Sequence, residues 1–145
     1  MNRQCELLEK IYKDASMGRF SMQKLLENLK GKDNKIIGVV ESIFQDYSSF
    51  EQKAKEALVA QDKKPEEEGS MAKMMSSMGI FKEVLTDNSD SAIADLLIQG
   101  LSMGEIEMQK RVDNASDDIN KDDLKLAKDF LKFQQKAQKE LKKYL

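Results

Sequence analysis

Four methionines, Met71, Met74, Met75 and Met78, recur at i, i+3, i+4 and i+7, the spacing of one helix face. Thioethers are soft ligands that suit Cu(I), so this run could handle copper. The same spacing serves a short helix packed on a larger assembly, because Met is flexible and fills irregular gaps. Exposed, it would give a partner's helix an adaptable surface. Asp118, Asn120, Asp122 and Asp129 follow a calcium loop in part. Asp123 stands where that loop needs Gly, and Asp129 where it needs Glu, so a helix cap is the favoured reading. The chain has no His. That removes HExxH zinc sites, Cys-His and Ser-His nucleophile pairs and His-based iron sites. With no glycine-rich phosphate loop and no nucleophile elbow either, the sequence predicts neither an enzyme nor a cofactor.

The elements that must position these residues are helices. The 145 residues suit a single domain, 34% of them are charged, and one Pro argues against many short strands. Leu8, Ile11, Ala15, Gly18, Met22, Leu25 and Leu29 alternate in threes and fours, predicting a helix over about 3–30 that Gly31 ends. Ile36, Val40, Ile43, Tyr47, Phe50, Ala54 and Ala57 repeat the pattern over 34–62, with Asp33 or Asn34 as cap. The turn between them makes an antiparallel hairpin. Pro65 opens a connector, and the methionines fall on a shorter helix over 71–86. Two further helices follow, 91–115 and 121–144. Ala94, Leu97, Leu101, Glu105, Met108, Val112 and Ala115 form the expected seam of the first. Leu124, Ala127, Phe130, Leu131, Ala137 and Leu141 form that of the second. Asn120 with Asp123 resembles a capping box. Gly100 and Gly104 predict a close approach, to Tyr47 or Phe50 or to the same helix of a second subunit. The eight Lys of 121–145 read as a solvated face, or as a match for the acidic stretch 83–118.

This all-α plan of two helical hairpins, joined by a long crossover carrying a short fifth helix, resembles the ferritin-like superfamily. The similarity is to its rubrerythrin-related branch, which includes bacterial families of unknown function. Glu68-Gly69-Ser70-Met71-Ala72 at the start of the crossover helix and Leu101-Ser102-Met103-Gly104-Glu105 inside the next helix carry it, with the paired long seams. The resemblance implies an antiparallel four-helix bundle. It also implies a di-iron site of mid-helix carboxylates and two Glu-x-x-His pairs. The mid-helix polar residues here are Asp14, Asp46 with Tyr47, Glu105 and Gln134. Without His neither pair can form, and Gln134 is a poor iron ligand. A hydrogen-bonded polar layer that fixes helix register is the favoured reading, and a degenerate metal or redox site the alternative.

The net charge of −2 gives no drive toward nucleic acid or anionic membrane. No apolar run approaches the roughly 18 residues of a membrane span. Charges interrupt the first residues, against a signal peptide, and Cys5 is the one cysteine, so a cytoplasmic setting is expected. The predicted role is non-enzymatic: a structural or stress-related module with a protein partner or a homodimer. Copper handling through the methionines stays open, and no small-molecule substrate is indicated.

Overall fold

A computed structural model of the chain describes residues 3–63 and 87–145, and 82% of these are helical, with no strand among them. The first helix, α1, spans Arg3–Leu29. Six of its seven seam residues are buried, from Leu8 and Ile11 to Leu25 and Leu29, because their period matches the helical turn. Gly31 closes it in the left-handed region (φ 81°), as a C-terminal cap requires. The second helix, α2, spans Ile37–Ala60. It ends on Asp62, also left-handed (φ 59°), where the Lys63 amide donates back to the Leu58 carbonyl at 2.9 Å. Next come α3, Asp90–Asp113, and α4, Lys121–Leu141, with a 3-10 turn at Lys142–Tyr144. The expected fifth helix over 71–86, with Met71, Met74, Met75 and Met78, lies outside the described residues.

The helix caps are partly corrected. Neither Asp33 nor Asn34 caps α2, whose first turn has no side-chain cap. Asn34 reaches instead to the other hairpin, donating to the Asn88 carbonyl at 2.7 Å and to Asp90 Oδ1 at 2.8 Å. Asp90 Oδ2 in turn accepts from the Lys35 amide at 3.1 Å. Ser89 caps α3 through the Ala92 amide. Asn120 caps α4 through the Asp122 amide at 2.8 Å, the helix cap favoured over a calcium loop. Asp123 does not complete a capping box; it is buried and accepts from Gln61 Nε2 at 3.1 Å.

The α1–α2 and α3–α4 pairs pack most extensively, α4 also packs on α1 and α2, and α1 touches α3 least. Arg19 on α1 pairs with Glu51 on α2 at 2.7 Å, in antiparallel register. The two ends of the assembly are tied differently. At one, Gln61 accepts from Cys5 Sγ at 3.6 Å and donates to Asp123, joining α1, α2 and α4. At the other, Asn34 and Asp90 join the α1–α2 turn to the start of α3. The end of α2 and the beginning of α3 therefore stand at opposite ends.

Between them lies an aromatic cluster. Tyr47 meets Phe133 edge-on at 4.9 Å between ring centroids, and Phe50 meets Phe130 at 5.1 Å. These spacings suit rings that present a positive edge to a negative face. Phe133 and Gln134, outside the expected seam of α4, are buried with Phe130. The broad inner face leaves the eight lysines of 121–145 exposed, and Lys125 and Lys143 pair with Asp129 and Glu140 of their own segment.

Candidate functional site

Where α1 and α3 stand apart, a cavity of about 400 Å³ opens into the middle of the bundle. Asp14, Tyr47 and Gln134, three of the five residues of the expected polar layer, line it. Gly18, Gly100 and Gly104 line it too. The other two residues point elsewhere. Asp46 lies in a groove between α2 and α4, near Lys136 and Glu140. Glu105 accepts from Gln135 at 3.0 Å and Gln138 at 2.7 Å, on the outer side of the α3–α4 contact. The expected layer is thus split: by period Glu105 falls on the α3 seam, but its neighbour Gly104 turns inward.

The glycines have separate tasks. A Cβ on Gly18 would stand 2.3 Å from the Tyr47 ring, so the ring lies directly on the α1 backbone. A Cβ on Gly104 would stand 2.8 Å from Gln134 Nε2, so this glycine seats the glutamine amide. Gly100 faces open space. Neither Gly100 nor Gly104 receives Tyr47 or Phe50; the tyrosine goes to Gly18. The α1–α2 pairing puts it there, and helical period alone does not assign partners.

Sequence reasoning missed Lys10 and Glu107. Lys10 Nζ lies 3.0 Å from Asp14 Oδ1 and 2.6 Å from Glu107, bridging α1 to α3 at the cavity wall. The i, i+4 spacing of Lys10 and Asp14 was a readable signal, but the link to Glu107 is tertiary. Burial pushes the Asp14 carboxyl above its usual range, against the pull of the Lys10 charge. Burial also raises the Tyr47 hydroxyl, helped by the Asp14 charge, so the phenol stays protonated at neutral pH. Lys10 acts on Glu107 by hydrogen bond and charge, and lowers it. Asp14 Oδ2 and Gln134 Oε1 are buried with no hydrogen-bond partner among the described residues.

The donor set does not fit a di-iron centre. Among the described residues no three His, Cys, Asp or Glu side chains group to hold a metal ion. Asp14 already shares Lys10 with Glu107, and rings and an amide occupy the remaining inward positions. No described helix is long and apolar enough to cross a membrane. Compared with protein-family models, curated proteins and solved structures, the chain matches none.

Asp14 gives a pH test. Its folded-state pKa is raised from 3.8, so its contribution to stability is present below 3.8 and lost as the pH rises through the raised value. Asp14→Asn removes that dependence. Glu107 titrates the other way but is present in both proteins. Relative to wild type, D14N is expected to gain stability between about pH 3.5 and pH 7, in urea unfolding at each pH. A penalty for D14N that grows as the pH rises would contradict the burial assigned to Asp14.

Proposed function

We propose that this chain is a non-enzymatic bundle of ferritin-like topology without a metal centre. It works by association in the cytoplasm, in the first place with a second copy of itself. The topology is supported by the ends of the hairpins. The end of α2 and the start of α3 stand at opposite ends, the arrangement expected of two hairpins joined by one long crossover. The observation that carries the non-enzymatic reading is the mid-bundle level. Where the resemblance asks for carboxylates from four helices, Tyr47 packs on Gly18 and its ring meets those of Phe130 and Phe133.

Association is supported by the outer face of α3. Met103 and Ile106, one turn apart, are 67% and 54% exposed, and Met17 of α1, 37% exposed, lines the same cavity as Met103. An apolar group of this kind, repeated by a two-fold axis, gives a self-complementary contact. Sedimentation velocity over a concentration series is expected to show a dimer that Met103→Glu with Ile106→Glu dissociates. A monomer at every concentration would overturn self-association. Elemental mass spectrometry of untagged protein from metal-supplemented medium tests the other half. Near-stoichiometric iron or manganese would overturn the non-enzymatic reading, and copper would shift attention to Met71, Met74, Met75 and Met78.

A further inference from the structure

We propose that the cavity beside Asp14 and Gln134 binds a small organic ligand with a compact apolar body and a protonated amine head. This goes beyond the association reading and does not depend on it. The volume, about 400 Å³, falls within the range of small-molecule sites. Met22, Ile43, Leu97 and Leu101 give the walls an apolar character. Gly100 adds room, since a Cβ there would meet nothing within 4 Å.

Two polar atoms set the chemistry of the head. Asp14 and Gln134 both line the cavity, and Asp14 Oδ2 and Gln134 Oε1 are buried with no hydrogen-bond partner among the described residues. Gln134 is only 2% exposed, so bulk water barely reaches it. Both atoms are acceptors, and what satisfies them must donate. An ammonium offers three donors; a carboxylate or an ether offers none. Charge points the same way. Lys10 faces both Asp14 and Glu107, which leaves the cavity lining with one negative charge in excess. Lys10 is engaged on Asp14 Oδ1, which leaves Oδ2 as the carboxylate oxygen with no partner among the described residues. Met17 and Met103, 37% and 67% exposed, line the cavity with flexible side chains that can fold over an apolar body.

The test uses the full chain and three probes of one shape: cyclohexylmethylamine, cyclohexylmethanol and cyclohexanecarboxylic acid. Affinities come from calorimetric titration, and the Met methyl resonances locate the probe. The amine is expected to bind roughly tenfold tighter than the alcohol or better, and the acid weakest. Asp14→Asn should erase the preference of amine over alcohol. Gly100→Leu should fill the void, weaken the amine by roughly tenfold or more, and raise the melting temperature, since Leu is the better helix former. No amine binding up to about 10 mM would overturn the proposal, whatever fills the cavity instead. Equal affinity for amine and alcohol, or full affinity in G100L, would overturn it as well. A wild-type protein that is monomeric at every concentration yet binds the amine would overturn only the association reading.

Discussion

Gly18→Ala is expected to destabilise the protein by about 1–3 kcal/mol, and Gly18→Val by about 3 kcal/mol or more. Helix propensity alone predicts the opposite, since Ala in place of Gly inside a helix gains about 0.8–1 kcal/mol. Contact decides the sign. The new Cβ would lie 2.3 Å from Tyr47 Cζ and 2.4 Å from both Cε atoms, well inside any real carbon contact. Phe133, edge-on at 4.9 Å, and Phe130, at 6.3 Å, brace the ring where it stands. Either α1 must lift from α2 or the aromatic cluster must repack. Urea unfolding gives the size of the loss, and a double-mutant cycle its cause. In a Tyr47→Leu background the ring is gone, so Gly18→Ala should become neutral or stabilising. If Gly18→Ala stabilises the wild-type protein, Tyr47 does not lie on α1 as described.

What the sequence allowed to be read, and what it hid, follows from the range of each interaction. The α1 seam was legible because burial at Leu8, Ile11, Ala15, Met22, Leu25 and Leu29 repeats with the local helical period. The Gly31 cap was legible for the same reason, since left-handed backbone is a local demand. Pairing between helices was not legible. Gly100 and Gly104 on α3 offered a close approach to Tyr47, Phe50 or a second subunit, yet Tyr47 lies on Gly18, because α2 packs on α1. Asn34 looked like a cap for its own helix, but Asp90, 56 residues on, takes its amide. The candidate site shows the same divide. Asp14 and Gln134 were visible as mid-helix polar residues, whereas Lys10 joins Asp14 to Glu107 across a contact that no spacing encodes. Glu105 fell on the period but not on the inner face, because Gly104 rather than Glu105 meets Gln134 on α4.

Phe130→Ala is expected to cost about 3–5 kcal/mol, the range for truncating a fully buried aromatic residue. Phe130 has no exposed surface, and its ring lies within 6.3 Å of Tyr47, 5.1 Å of Phe50 and 5.8 Å of Phe133. These rings belong to two helices, α2 and α4, so the hole cannot close by moving one side chain. Against a total stability of about 5–15 kcal/mol, a loss of this size takes a large share of what holds the chain folded. At roughly 2–4 °C per kcal/mol for a chain of this size class, the melting temperature should fall by about 6–20 °C. Phe130→Leu keeps most of the volume and should cost much less. The effect should also reach the cavity, because Gln134 stands one turn beyond Phe130 on α4 and Tyr47 forms the facing wall. In a folded F130A protein, the Met methyl resonances at the cavity should therefore shift along with those nearer the aromatic cluster. Loss of stability without any change at Met17 or Met103 would show that the rings hold the hairpins together but do not set the shape of the cavity.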